Sequence, residues 1–204
     1  MKKIFLIAIV LVCTTASYGQ MIDYVTFQAE IANRNNDFIN IISSNGTIIK
    51  RIALNKKEIF KDTLKVKEGL YRMNDGEEST DLYLRNGYNL KLKMNAKEFD
   101  ESIVYSGTGS LENNILAKKA LEFERFYDTN FRELDELAFE KMKNDIRDKT
   151  MNQLNDARLN LNFVQAEKAN TENTDADNKK TTGKPEPSTF EKVANNSIVL
   201  PSVP

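Results

Sequence analysis

Four carboxylates crowd one short stretch of the chain, Asp75, Glu77, Glu78 and Asp81. Clustered carboxylates are the donor set of hard cations such as calcium. The ligand spacing of an EF-hand loop is missing from this stretch, and a polar turn between strands accounts for the same residues. A second candidate is Gly107-Thr108-Gly109-Ser110, which precedes a helical pattern and invites a phosphate reading. A P-loop needs a Lys-Ser/Thr pair after its last glycine, where this chain has Ser110-Leu111, so the glycines read as a turn from sheet to helix. Phe123, Phe126, Tyr127 and Phe131 form an aromatic group able to line a cleft or an interface, and their default reading is core packing against the sheet. Glu136, Glu140, Lys141 and Lys143 could offer a charged docking site. Glu140 and Lys143, three apart on a helix, make only a weak surface pair, and a solvated helix face is expected.

The strongest chemical constraint comes from what is rare. The sequence has one cysteine, Cys13, and no histidine. Cys13 lies inside an export signal, so the mature chain is expected to have neither residue. Such a chain cannot run a thiol–disulfide relay, build a Cys/His zinc site or use a Ser–His or Cys–His nucleophile. The sequence therefore assigns no catalytic, cofactor-binding or metal-binding residue, and no cofactor.

Residues 1–19 read as that signal. Lys2 and Lys3 are followed by the apolar run Ile4 to Cys13 and then by small or neutral residues. Cleavage is expected between Gly19 and Gln20, with Ser17 and Gly19 at the −3 and −1 positions. The run is too short to span a bilayer, so no membrane span is expected once it is removed. Lipidation at Cys13 would want a small residue before it, and Val12 stands there. A periplasmic or otherwise exported protein is the expectation. Loss of Lys2 and Lys3 moves the formal net charge from −1 to −3, and the charges are interspersed, so no nucleic-acid partner is expected.

The residues left after cleavage divide into three regions: a β-rich domain at 20–109, a helical extension at 110–168, and a disordered linker with a truncated tail at 169–204. In the first, short strands are expected at 24–29, 38–42, 47–54, 60–66, 70–73, 81–85, 88–94 and 103–105. Asn45-Gly46 and Asn86-Gly87 give two hairpin signals between them. The alternation of Tyr88, Leu90, Leu92 and Met94 with Asn89, Lys91 and Lys93 indicates a half-buried antiparallel strand. In the second, Ser110 is a candidate cap. Leu111, Ile115, Leu116, Ala120, Phe123 and Tyr127 form an apolar face. Asp128-Thr129-Asn130 interrupts it, with Asn130 and Glu133 suited to cap a new helix. Phe131, Leu134, Ala138, Met142 and Ile146 then continue the stripe, extended by Leu154, Leu161 and Val164. No Pro or Gly between Ser110 and Lys168 demands a further break. In the third, Asn170 to Thr182 is too polar to offset its ordering entropy. The fold class is α+β: an antiparallel β-sandwich or rolled sheet of seven or eight short strands, then a long helical segment.

The stretch from Phe99 to Leu121, with Tyr105-Ser106-Gly107-Thr108-Gly109-Ser110-Leu111 at its centre, resembles the strand–Gly-x-Gly–helix junction of a known domain. That domain is the N-terminal accessory domain of TlpA-type envelope thioredoxin-like reductases, and the resemblance covers about 24–168. In that family the reductase activity belongs to a downstream domain with a Trp-Cys-x-x-Cys motif. Gly183-Lys184-Pro185-Glu186-Pro187-Ser188-Thr189-Phe190 is similar to the opening of such a domain, but neither Trp nor Cys follows it. The resemblance implies an exported, non-catalytic accessory or binding domain with an envelope protein as partner. Two alternatives remain: a fragment of a reductase without independent activity, and a lipid-anchored surface module that would require an acylated Cys13.

Overall fold

The computed structural model describes residues 22–128 and 134–180, with the side chains of Tyr127 and residues 172–180 left aside. The export signal, Cys13, the Gly19–Gln20 cleavage site, Asn130, Phe131, Glu133 and the segment from Gly183 onward all lie outside the described residues.

Among the described residues eight strands form two four-stranded sheets. They are β1 (Val25–Ala32), β2 (Phe38–Ser43), β3 (Ile48–Ala53), β4 (Phe60–Leu64), β5 (Gly69–Asn74), β6 (Ser79–Leu84), β7 (Asn89–Asn95) and β8 (Val104–Gly107). One sheet has the order β4-β1-β7-β8 and the other β3-β2-β5-β6. The fold is α+β, as expected. Period-2 alternation supplies the core: Val25, Phe27, Ala29 and Ile31 of β1 point inward, as do Leu90, Leu92 and Met94 of β7. Residues opposite one another in register, Phe27 with Leu90, Ala29 with Leu92 and Ile31 with Met94, bury their apolar faces together. Ile39, Ile41, Met73, Leu82 and Leu84 meet them from the other sheet.

The β1–β7 pair is parallel, while every other pair of strands is antiparallel. Parallel neighbours cannot be joined by a tight turn, so the connection from β1 to β7 runs through the whole second sheet. This changes the role of one sequence signal. Asn45-Gly46 turns the β2–β3 hairpin, with Gly46 at φ +84° and the Gly46 N–H donating to the Ser43 carbonyl. Asn86-Gly87 joins β6 to β7, which belong to different sheets, and so is a crossing turn and no hairpin. Its hydrogen bonds show why: the Gly87 N–H donates to the Tyr24 carbonyl (2.8 Å) and the Val66 N–H to Asn86 Oδ1 (3.2 Å). The turn is tied to the start of β1 and the β4–β5 connection, which lays β7 beside β1.

A 3₁₀ turn at Ala96–Glu98 leads into the short helix α1 (Phe99–Ser102). After β8 come α2 (Ser110–Asp128), α3 (Glu136–Gln153) and α4 (Leu161–Lys180). The cap of α3 is Asp135, whose side chain accepts from the Ala138 N–H at 2.7 Å. The sequence hides the break between α3 and α4, since no Pro or Gly marks it. Asp156 and Asn160 make it instead. The Asp156 carboxylate accepts from the Arg158 N–H, and Asn160 Oδ1 accepts from the Asn162 and Phe163 N–H groups to cap α4. Helix α4 then continues past Lys168 to Lys180, through residues whose polar composition suggests a linker.

Candidate functional site

Helix α2 begins at Ser110 and sends three consecutive polar side chains inward. Asn113 is fully buried. Its Oδ1 accepts from the Tyr83 N–H (2.9 Å) and its Nδ2 donates to the Tyr83 carbonyl (2.9 Å) and the Gly109 carbonyl (2.7 Å). Asn114 makes the same pair of bonds with Tyr105, at 2.9 and 3.0 Å. Tyr83 lies on β6 and Tyr105 on β8, the terminal strands of the two sheets. Each primary amide thus takes the place of a neighbouring strand, satisfying one N–H and one C=O that an edge would leave bare. At the other side of the sandwich β3 and β4 approach one another through the Leu54–Phe60 bridge and a Lys50–Asp62 ion pair at 2.8 Å.

The third residue, Glu112, faces a hollow of about 740 Å³ where β8, the start of α2 and the start of α4 meet. Glu68, Arg85, Tyr88, Thr108, Arg158 and Leu161 are among its walls. The glycines of the sequence motif shape it. Gly109 has φ +93°, and a Cβ there would overlap the Tyr88 ring; a Cβ at Gly107 would overlap the Asn89 carbonyl oxygen. The motif that invites a phosphate reading is therefore a close-packed sheet-to-helix turn that also lines a hollow.

A chain of polar contacts runs along its floor. Glu112 is 5% exposed, and its Oε1 accepts from the Asn160 N–H at 2.9 Å. The Tyr83 hydroxyl donates to Glu68 Oε1 (2.7 Å) and lies 3.1 Å from Asn160 Oδ1, while its ring packs edge-on against Phe163 at 5.1 Å. Burial first, and then the charge of nearby Glu112, push the Tyr88 hydroxyl well above the ordinary phenol range. Burial and Glu68 do the same to Tyr83. Both phenols stay protonated, and Tyr83 acts as a donor.

The remaining sequence candidates have structural roles. Asp75 is buried, and its Oδ1 accepts from the Glu77 and Glu78 N–H groups while Oδ2 accepts from Asn35 Nδ2. It ties the β5–β6 turn internally rather than lying in solvent. Asp81 pairs with Arg72 across β5 and β6 at 3.4 Å. Among the described residues no group of three or more Asp, Glu, Cys or His could hold a metal ion. Phe126 packs on Phe139 at 5.5 Å, forming with Ile146 a small cluster between α2 and α3. Phe123 and Phe126 therefore pack helix on helix, not against the sheet, because the C-terminal half of α2 extends past the sandwich core; the side chains of Tyr127 and Phe131 lie outside the described residues. Glu140 and Lys143 form the expected i,i+3 pair at 2.8 Å, and Glu136 and Lys141 are exposed.

Sequence reading missed the asparagine pair and Glu112, because polar residues on a helix read as its solvent face. The signal was their adjacency: Glu112-Asn113-Asn114 sits directly after a strand and a glycine turn, too close to the sheet to face water all round. No protein-family model matches this chain, and no curated protein matches it. Among the described residues no helix is long and apolar enough to cross a membrane.

Proposed function

We propose that this chain is an exported, non-catalytic binding domain related to the accessory half of envelope thioredoxin-like reductases, acting through the hollow beside the Gly107–Ser110 turn. The observation that carries the reading is that hollow. It lies where the strand–Gly-x-Gly–helix junction of the resemblance folds, and it is walled by side chains of mixed charge with apolar Leu111 and Leu161 at its margin. A concave site with a few convergent polar groups is the ordinary form of a recognition site. The chemistry of the sequence agrees, since residues 20–204 contain neither cysteine nor histidine.

Two experiments test it. Purified protein should show no insulin reduction with dithiothreitol above the no-protein control, because the attacking species in thiol–disulfide exchange is a thiolate. Turnover above that control would refute the non-catalytic reading. A photo-crosslinking residue at Leu161, 76% exposed at the hollow, should give discrete adducts in the native envelope. The same group at Leu137, 81% exposed on α3 and outside the hollow, should give none. Equal labelling from both positions would remove the hollow from the account.

A further inference from the structure

The hollow contains a buried carboxylate with no counter-ion. Glu112 is nineteen-twentieths buried, and its Oε1 accepts from a neutral donor, the Asn160 N–H. Among the described residues no Lys or Arg nitrogen comes within 4 Å of it. A buried carboxylate is costly unless a cation or several hydrogen bonds compensate it, and neutral donors supply only part of that compensation.

The two arginines in the walls are engaged elsewhere. Arg158 makes a 2.6 Å ion pair with Asp156, and Arg85 lies 4.0 Å from Glu68. The other buried carboxylate of the helical layer shows the contrast. Glu167, 1% exposed, is met by Lys119 Nζ at 2.6 Å. One carboxylate has its cation in the fold, and the other opens onto a hollow.

We infer that the hollow takes an organic cation, the ammonium or guanidinium group of a basic side chain, seated against the Glu112 carboxylate. Resting on the binding reading above, this names the chemistry of the ligand. The Tyr88 ring, 8% exposed, forms part of the wall beside Gly109. Gly109 holds that ring in place, since any larger residue would displace it. Glu68 is hydrogen-bonded by Tyr83 and lies 4.0 Å from Arg85, so Glu112 is the wall carboxylate left without a cation of its own.

The test is a titration of isotope-labelled protein, followed by amide chemical shifts, with three capped amino acids: lysine, arginine and the uncharged norleucine. The lysine and arginine probes should shift the Tyr88, Thr108, Glu112 and Asn160 amides at millimolar concentrations, and the norleucine probe should leave them unmoved. Glu112→Gln keeps an acceptor for the Asn160 N–H and should weaken the cationic probes about tenfold or more. Equal shifts from norleucine, no shifts from any probe, or undiminished binding by Glu112→Gln would each overturn the inference. Should Glu112→Gln fail to fold, the contrast of lysine with norleucine on the unaltered protein decides alone. A negative titration does not touch the crosslinking contrast between Leu161 and Leu137, so failure of the cation and failure of the binding reading remain distinguishable.

Discussion

At its N-terminal end α2 turns Glu112, Asn113 and Asn114 into the protein and gives each of them hydrogen-bond partners, whereas toward its C-terminal end Glu124 is set beside Asp100 with one oxygen, Oε2, buried and without a partner. The first end touches two sheet edges whose backbone groups need closing. The second extends beyond the sheets and meets α1, the β5–β6 turn and α3, where Asp100, Glu101, Asp128 and Glu78 all act on Glu124 with the same sign. One helix thus combines a polar anchor that the fold requires with an acidic contact that the fold tolerates. Polar burial stabilises only where partners are already waiting, and β6 and β8 supply them at one end only.

The largest effect should come from Asn113→Ala. It strips the Tyr83 N–H and C=O of their partner in a fully buried place, at about 3 kcal/mol, and lowers the thermal midpoint by roughly 10 °C in a calorimetric scan. A loss as small as that of an exposed polar residue would break the comparison. Lys119→Met should follow closely, at up to about 3 kcal/mol, because it leaves the Glu167 carboxylate buried and unpaired. The double variant Lys119→Met, Glu167→Met should recover much of that loss, and a failure to recover would mean that packing, not charge, is at stake. Asn114→Ala should cost less than Asn113→Ala, about 1–2 kcal/mol, since its bonds to Tyr105 are only partly buried.

The smallest effect has the opposite sign and belongs to the other end of the helix. Burial, and then the carboxylates of Asp100, Glu101, Asp128 and Glu78, raise Glu124 above its ordinary value of 4.5, and burial followed by Glu101 raises Asp100 above 3.8. A carboxyl raised in the folded state stabilises fully below its unfolded value and loses that contribution as pH rises through the folded one. Stability should therefore decline as pH rises from about 4.5, and Glu124→Gln should flatten that decline and raise the midpoint at pH 7 by about 1–3 °C. Asp156 separates cleanly from this window. Asp156 is lowered to about 2 by its hydrogen bond from Arg158, so its contribution is lost only as pH falls from 3.8 toward that value. A Glu124→Gln protein with an unchanged pH profile would remove the acidic contact from the account.

Strand positions were largely legible because period-2 alternation and turn residues are local signals. Phe27, Leu90, Leu92 and Met94 announce their face in the sequence. The parallel β1–β7 pairing was not legible, because Asn86-Gly87 carries the same local preference whether the next strand joins its own sheet or the other one. The α3–α4 break was missed for a related reason: Asp156 and Asn160 make it by side-chain bonds to backbone, which leave no Gly or Pro to read. The candidate site was hardest. Its buried Glu112 and Asn113 and half-buried Asn114 have the composition of a solvated helix face, and only the position of two sheet edges turns that face inward.

Hydrogen exchange at the Tyr83 and Tyr105 amides tests the asparagine closure most directly, since each donates to one asparagine side chain. In the unaltered protein both should exchange as slowly as the amides of β5, which is paired on both sides. In Asn113→Ala, with exchange corrected for the overall stability change, Tyr83 should speed up by about a hundredfold while Tyr105 stays protected, and Asn114→Ala should reverse the pattern. Fast exchange at Tyr83 in the unaltered protein, or equal protection of both tyrosines in each variant, would contradict the claim that two adjacent asparagines close the two sheets.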